Sequence, residues 1–273
     1  MSNDKNLTET AKEIRKYIIE VLRPKESHHI GCSFSIVDIL TLLYCRVLKT
    51  FPETPKNSRR DIFILSKGHA ALAVYAILCK KGFFKKGTLM TYEQDGSWLP
   101  EHMSTKVPGV ELSTGSLGHG LPVGIGFATS FINDKKKNKV VVLMSDGELN
   151  EGSNWEAIMY AGHHQLNNLT VIIDLNGFQG YAPTKKVIDL LPIKEKIIPF
   201  NWNVYEVNGH DFKAMEKVFN QIKNSRNNKP NFIIAKTVKG KGVPYFEGKF
   251  ESHYKSVDEK TKTEILKDLT KKP

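Results

Sequence analysis

The sequence predicts an α/β protein in which one parallel sheet is flanked by helices on both faces. Three observations support this prediction: the strand-like runs are continuously apolar, they alternate with helical segments, and the 273 residues contain no linker or internal repeat. Continuously apolar strands are typical of parallel sheets, because helices cover both faces of such a sheet. We therefore expect residues 1–273 to form a single domain.

The individual elements follow from local patterns along the chain. Residues 9–22 repeat apolar side chains at helical spacing, and residues 35–48 predict a more apolar helix that Ser35 caps. Further helices are predicted over residues 70–80, 120–133, 155–166 and 211–223. Apolar, β-branched runs predict buried strands over residues 61–66, 139–144, 169–174, 203–207 and 231–236. Residues 86–119 show little periodicity, and a loop of that length is usually functional.

The charge balance argues against a nucleic-acid-binding protein. The chain has 40 Lys and Arg against 29 Asp and Glu, which gives a formal net charge of +11. The Lys residues are nevertheless spread along the chain, without zinc-finger spacing and without basic stretches interleaved with aromatics. This distribution favours a solvated surface, so we expect no nucleic-acid partner.

Membrane, secreted and disulfide-rich classes are also disfavoured. No apolar run approaches the roughly 20 residues that span a bilayer, and the N-terminus lacks the apolar core of a secretory signal. Cys32, Cys45 and Cys79 are an odd and widely spaced set, which disfavours a disulfide scaffold or a structural zinc site. We expect a cytoplasmic protein.

Polar residues follow the predicted strands at the sheet edge where ligands bind in such folds. Asp146 lies just beyond the strand over residues 139–144, and Asn176 lies just beyond the strand over residues 169–174. A carboxylate and an amide oxygen at neighbouring strand ends suit Mg²⁺, which leaves positions for diphosphate oxygens. Each residue alone is also typical of a strand-end turn, because Asp-Gly and Asn-Gly favour turns.

Two glycine-containing segments are candidates for further ligand loops. Residues 114–124 lead into a predicted helix, and helix N-termini bind anions. The fragment Gly124-Ile125-Gly126 is similar to half of a dinucleotide fingerprint. It does not follow a strand, so we discount it as a nucleotide motif.

The wider text resembles the transketolase family, specifically its amino-terminal half encoded as a separate subunit. The Asp-Gly pair followed some thirty residues later by Asn is the thiamine diphosphate signature. Matching segments occur in order along nearly the whole chain: SHHIGCSFSIVDILTLLY from residue 27, DIFILSKGHAALAVYA from residue 61, VPGVELSTGSLGHGLPVGIG from residue 107, SDGELNEGSNWEA from residue 145, and VNGHDF from residue 207.

The resemblance implies a set of cofactor and metal ligands. Asp146 and Asn176 would hold Mg²⁺ together with the backbone carbonyl of Phe178. The groups implied around thiamine diphosphate are Gly115, Ser116, Leu117, Gly118, His119, Gly147, Glu148 and Asn176. Glu151 and Glu156 would resemble the acidic residues that link paired active sites across a dimer; alternatively, both are simply favourable at a helix N-terminus.

Histidines at the family's active-site positions are the implied catalytic residues. They are His29, His69, His102 and His253, of which His69 and His253 would also contact the cofactor. Imidazoles titrate near neutrality and can relay protons to substrate hydroxyls. His28 competes with His29, because this segment lacks the family's Pro and one Gly. His102 aligns only after a one-residue deletion, and residues 92–106 depart from the usual glycine-His-Pro text, which leaves the sugar specificity open.

The resemblance also implies a divided enzyme. A full transketolase chain is more than twice this length, and the Glu that activates the cofactor lies on its pyrimidine-binding domain. We expect a carboxy-terminal subunit to supply that Glu and most ligands for the substrate phosphates, in an α2β2 assembly. The expected reaction moves a two-carbon ketol unit from a ketose or ketose phosphate to an aldose or aldose phosphate. The alternatives are a ketol transferase of a specialised sugar pathway and a non-catalytic subunit that retains the fold.

Overall fold

A parallel sheet forms the centre of the protein. The structure, a computed structural model, describes residues 2–23 and 29–270, with side chains from residue 6 onward. Within these ranges the chain forms five strands, namely β1 (Ile62–Leu65), β2 (Val140–Ser145), β3 (Leu169–Leu175), β4 (Asn203–Asn208) and β5 (Asn231–Lys236). All pairs are parallel, and the strand order is β1-β2-β3-β5-β4.

Helices alternate with these strands along the chain. They are α1 (Ser2–Val21), α2 (Ile30–Ser35), α3 (Val37–Leu42), α4 (Ala71–Lys80), α5 (Lys86–Leu89), α6 (Gly120–Asn133), α7 (Gly152–His163), α8 (Thr184–Val187), α9 (Ile193–Ile197), α10 (Phe212–Asn224) and α11 (Glu259–Thr270). Over the described part of the chain, no helix is long and apolar enough to cross a membrane.

Alternate residues of each strand enter two different cores. In β1, Phe63 and Leu65 pack into a core that also contains apolar residues of α1, α3 and α4. Ile62 and Ile64 point to the opposite face and join a second core built with α6 and α7. Because side chains alternate across a strand, a strand buried on both faces must be apolar throughout. The predicted fold class, with helices on both faces of a parallel sheet, is therefore confirmed.

The predicted helix over residues 35–48 is wrong in its continuity. The chain forms α2 and α3 with a break at Ile36, followed by a π-helical turn over Leu43–Val47. Ser35 caps no helix; its side chain is fully buried, and its hydroxyl donates to Asp174 Oδ2 at 2.6 Å. The hydroxyl that the local pattern assigned to a helix cap thus donates instead to the buried carboxylate of Asp174, in β3.

Other helices also differ from the predictions. The helix expected over residues 9–22 is α1, which already begins at Ser2 and ends at Val21. The helix expected over residues 155–166 begins three residues earlier, at Gly152, and ends at His163. The helix α11 was not predicted, because its sequence is mostly polar and only Ile265 is buried. Its contacts with α1 hold it against the same face of the sheet as α4.

Candidate cofactor and active site

The carboxyl ends of β1, β2, β3 and β5 lie at one edge of the sheet and carry the polar groups of the site. Asp174 is paired with Ser145 across β2 and β3 and with Ala235 across β3 and β5. The loops that leave these strands therefore begin side by side. This is the ligand-binding edge of an open parallel sheet.

Asp146 and Asn176 are brought together by the loops after β2 and β3. Asp146 Oδ1 accepts the backbone N–H of Gly147 at 2.8 Å, and Oδ2 accepts the N–H of Gly177 at 2.7 Å. Asn176 Oδ1 in turn accepts the N–H of Phe178 at 3.1 Å. Gly177 has a φ of +81°, which only glycine adopts without strain, so this residue permits the turn.

These oxygen atoms fit a magnesium ion. Burial, followed by the nearby Asp174 carboxylate, raises the pKa of Asp146 to about 7, and a bound cation would counter both effects. Among the described residues, no group of three or more His, Cys, Asp or Glu is placed to hold a metal by itself. An ion beside Asp146 would therefore also take the Asn176 amide and Phe178 carbonyl oxygens, the hard donors that Mg²⁺ prefers.

Glu148 lies beneath this site and joins three loops. Its side chain is fully buried, and Oε1 accepts the backbone N–H of Gly118 at 2.9 Å and the hydroxyl of Ser66. Oε2 accepts the N–H of Ser145 at 3.3 Å. Burial raises the pKa of Glu148, although these three hydrogen bonds act to lower it. The carboxylate is thus turned into the protein, where it holds the loop over residues 114–120 against the ends of β1 and β2.

The 114–120 loop presents its other side outward. Gly115, Ser116 and His119 are exposed, whereas Gly118 and Gly120 are buried. Gly118 has a φ of +83°, and a Cβ atom there would lie 2.6 Å from Ser153 Oγ, so the loop and α7 approach closely. The loop ends where α6 begins, as expected for an anion-binding turn.

The predicted catalytic histidines form one cluster. The ring centroid of His29 lies 5.0 Å from that of His69, 4.9 Å from that of His253 and 6.1 Å from that of His102. The cluster adjoins two loops: a Cβ atom at Gly180, in the loop after β3, would lie 3.6 Å from His253 Nε2, and one at Gly115 would lie 3.3 Å from His102 Cδ2. The structure therefore places these imidazoles beside the loop that follows Asn176 and beside the 114–120 loop. His28 lies outside the described residues.

The electrostatics of the cluster favour neutral rings at His29 and His69. Burial, followed by the neighbouring His69, lowers the pKa of His29 to about 3, and burial also lowers the pKa of His69. A neutral imidazole has one donor and one acceptor nitrogen, so the partners of each ring decide its role.

Several site residues were missed by the sequence analysis. Fully buried Lys67 forms an ion pair with Asp174 at 2.6 Å, and fully buried Lys239 lies 2.9 Å (Nζ to Nδ1) from His253. Cys32 Sγ lies 3.3 Å from the same His253 nitrogen, and the pKa of Cys32 is lowered because His69 and His253 outweigh its burial. The available signal was Asp174, since a charge ending the apolar strand LTVIID requires a partner.

Glu151 and Glu156 are both exposed at the start of α7. Glu151 is the N-cap residue, but its side chain makes no capping hydrogen bond, and Glu156 lies beyond the first turn. Favourable placement at the helix N-terminus therefore fits the charge of Glu151 but not that of Glu156. Their role across a dimer stays a prediction.

Known proteins resemble this chain along nearly its whole length. Residues 7–272 match the family model described as transketolase, thiamine diphosphate binding domain. The chain is 40% identical over 240 residues to a subunit of the apulose-4-phosphate transketolase of Phocaeicola vulgatus, covering 88% of this chain and 85% of that protein. It is 34% identical over 267 residues to a 6-deoxy-6-sulfo-D-fructose transketolase subunit of Clostridium sp., covering 97% of each.

A solved structure agrees with this relationship. The transketolase of Campylobacter jejuni superimposes with a TM-score of 0.90 at 30% identity, over 96% of this chain. This chain spans only 42% of the length of that transketolase. Together with the family match and the relatives that are themselves transketolase subunits, these findings show that the chain belongs to the transketolase family, as a transketolase-type transferase subunit carrying the thiamine diphosphate-binding domain.

Proposed function

We propose that the chain is the amino-terminal subunit of a two-subunit transketolase, which transfers a two-carbon ketol unit from a ketose to an aldose. The observation that carries the proposal is the clustering of four imidazoles beside the loop that follows Asn176 and the 114–120 loop. Proton-transfer groups next to a diphosphate and metal cradle are what ketol transfer with thiamine diphosphate requires.

The proposed metal ligands are Asp146, Asn176 and the carbonyl of Phe178, which would hold Mg²⁺. The backbone at Gly147 and the exposed side of the 114–120 loop would contact the diphosphate, with Glu148 holding that loop from below. When bound, thiamine diphosphate supplies the carbanion stabilisation that the reaction needs. The protein positions it and excludes water.

The histidines have proton-transfer roles in this proposal. His29, His69, His102 and His253 take protons from, or donate them to, oxygen atoms of the sugar. Burial lowers the pKa of His29 and His69, so each of these two rings has an acceptor nitrogen for a hydroxyl proton. His69 and His253 also contact the cofactor.

A second polypeptide completes the proposed enzyme. The chain spans 85% of the Phocaeicola vulgatus protein, which is named as one subunit of its enzyme, but only 42% of a full-length transketolase. We propose a carboxy-terminal subunit with the pyrimidine-binding domain, an α2β2 assembly and sugar phosphates as substrates, with Glu151 and Glu156 linking paired sites. The cytoplasm keeps the free thiols of Cys32, Cys45 and Cys79 reduced.

Reconstitution tests the proposal directly. The purified chain should show negligible ketol transfer with a panel of ketose phosphates and aldoses, and adding the carboxy-terminal subunit should restore it. Asp146→Ala should abolish the restored activity and Mg²⁺-dependent cofactor binding, measured by calorimetry. The exposed, remote Asp134→Ala is the matched control and should behave as the wild type. Full activity of the isolated chain, or of the Asp146 variant with its partner, would refute the proposal.

A ketol transferase of a specialised sugar pathway is the second candidate. The observation that favours it is Glu101, in the unusual segment over residues 92–106, whose carboxylate contacts His29 at 2.7 Å. Substrate profiling of the reconstituted pair separates the two candidates. Preference for an unusual ketose over common pentose and hexose phosphates would favour the specialised enzyme.

A further inference from the structure

We propose that Glu101 is a positioning residue that fixes the tautomer of His29, so that His29 Nε2 is the hydrogen-bond acceptor for a substrate hydroxyl. The tautomer follows from the geometry alone, whereas its use in catalysis depends on the proposed ketol transfer. His29 then acts as a base toward the hydroxyl whose proton must leave.

The position of Glu101 is fixed by its neighbours rather than by a helix or strand. Leu99 and Met103, on either side of it, are buried. The hydroxyl of Tyr75 donates to the carbonyl of His102 at 2.7 Å. The Glu101 side chain, 37% exposed, therefore extends from an anchored stretch of backbone toward the histidine cluster.

The contact itself is short and directional. Glu101 Oε1 lies 2.7 Å from His29 Nδ1, and Oε2 lies 3.8 Å from His102 Nδ1. An ionised carboxylate has only acceptor atoms, so His29 Nδ1 must carry the proton that joins the pair. If the ring is neutral, Nε2 then holds a free lone pair.

The surroundings of His29 favour the neutral ring. Among the residues that the structure describes, the groups that face it are Glu101, the imidazoles of His69, His102 and His253, the Cys32 thiol and the phenol of Tyr254. Burial and the neighbouring imidazoles lower the pKa of His29 to about 3, although Cys32 opposes them. On a ring that these groups keep neutral, Glu101 orients the imidazole by accepting the hydrogen bond from Nδ1–H.

His253 is held in the opposite way. Lys239 Nζ lies 2.9 Å from His253 Nδ1, and an ammonium can only donate. For a charged Lys239 and a neutral ring, Nδ1 of His253 accepts from the ammonium, beside the Cys32 sulfur at 3.3 Å, and the ring proton lies on Nε2. Two rings 4.9 Å apart thus differ in character: His29 accepts at Nε2 and His253 donates there. Such a pair can remove a hydroxyl proton while stabilising a neighbouring oxygen.

Nitrogen NMR of the full chain, labelled with ¹⁵N-histidine, tests the tautomer without any activity measurement. The His29 signals, assigned by their loss in His29→Gln, should show the proton on Nδ1 in the wild type. In Glu101→Ala the Nδ1–H form should give way to the Nε2–H form. Added sodium formate should partly restore Nδ1–H, and sodium chloride should not. Glu53→Ala, an exposed remote change of the same kind, should leave the spectrum unchanged.

The possible outcomes separate this inference from the proposed function. A wild-type His29 with its proton on Nε2, or an unchanged tautomer in Glu101→Ala, overturns the role of Glu101. Unchanged His253 signals in the variant show that the fold is intact. In the reconstituted pair, Glu101→Ala should lower kcat roughly 10- to 100-fold and leave cofactor affinity unchanged. An inactive wild-type pair with the expected tautomer would refute the proposed function alone.

Discussion

Asp174 ends β3 inside the protein as a buried carboxylate, and several donors from distant parts of the chain meet it. Lys67 and Ser35 each contact Oδ2 at 2.6 Å, Asn176 Nδ2 donates to the same oxygen at 2.9 Å, and the hydroxyl of Thr237 donates to Oδ1. Burial raises the pKa of Asp174, but the Lys67 ammonium and these hydrogen bonds hold it below its usual value. One side chain thus fixes the loops after β1, β3 and β5 and the end of α2.

Replacing Lys67 should show how much an unpaired Asp174 carboxylate destabilises the folded protein. We expect Lys67→Met to lower the free energy of unfolding at pH 7 by about 3–5 kcal/mol, because Asp174 loses its counter-charge. The pKa of Asp174 is lower in the folded protein than in the unfolded chain, where it has its ordinary value of 3.8. Ionised Asp174 therefore stabilises the fold above pH 3.8, and this stabilisation is lost as the pH falls through the pKa of the folded protein. The difference from the wild type should therefore shrink below about pH 4.

Urea denaturation over a range of pH measures this effect. Lys137→Met, a change of the same kind at an exposed position, should alter the unfolding free energy by less than about 0.5 kcal/mol. If the two variants were equally stable at pH 7, the ion pair would contribute nothing to the fold.

Among individual residues, the strand-end rule predicted Asp146 and Asn176, and the structure brings them together. It could not predict Lys67, Glu101 or Lys239, because their roles depend on contacts between distant segments. Lys67 and Asp174, for example, are 107 positions apart. Neither residue belongs to a local pattern that indicates the other.

Helix α6 packs against β2 through a glycine. A Cβ atom on Gly124 would lie 2.6 Å from Val142 Cγ2, whereas one on Gly126 would meet nothing within 4 Å. Gly124 and Gly126, the two glycines of the fragment that is similar to half of a dinucleotide fingerprint, therefore have different structural roles. Gly124 lets the helix approach the sheet, and Gly126 faces open space.

These two glycines offer a matched pair of substitutions in one helix. Gly124→Ala should destabilise the protein by about 1–3 kcal/mol, because the new methyl group overpacks the contact with Val142. Gly126→Ala should be neutral or stabilise by up to about 1 kcal/mol, because alanine favours the helix. Urea denaturation of both variants checks the difference, and equal effects would mean that α6 tolerates a shift away from β2.

The strands β1, β2, β3 and β5 were predictable from sequence to within a residue or two, because burial on both faces makes their runs largely apolar. The helices were less predictable where tertiary contacts override local pattern. The break between α2 and α3 adjoins Ser35, whose hydroxyl bonds to Asp174. The amphipathic pattern of α11 is too sparse to identify, because only Ile265 is buried.

The chain keeps its net charge of +11, but several lysines of the described region form surface ion pairs with glutamates. Lys80 pairs with Glu13 at 2.5 Å, and Lys86 pairs with Glu20 at 2.6 Å. Lys236 and Lys241 similarly contact glutamates in their own neighbourhoods. Pairing of this kind disperses the positive potential and opposes a continuous basic surface for phosphate backbones.

We therefore expect no complex with double-stranded DNA or RNA in a gel-shift assay at physiological salt. Weak retardation should occur only at low salt and should vanish as salt is added, since it reflects net charge alone. Cytochrome c, another basic protein, is a suitable control for that behaviour. A complex that survives physiological salt would contradict the expectation.

Glu148 has a consequence for how this molecule can change. Its carboxylate holds Ser66, Gly118 and Ser145, which belong to three separate stretches of chain. Replacing Glu148 would leave the Ser66 hydroxyl and the backbone N–H groups of Gly118 and Ser145 buried without their acceptor, and replacing Ser66 would remove a donor from the buried carboxylate. We therefore expect natural variants and redesigned enzymes to keep Glu148 and Ser66. Changes in sugar preference should come from other residues of the pocket.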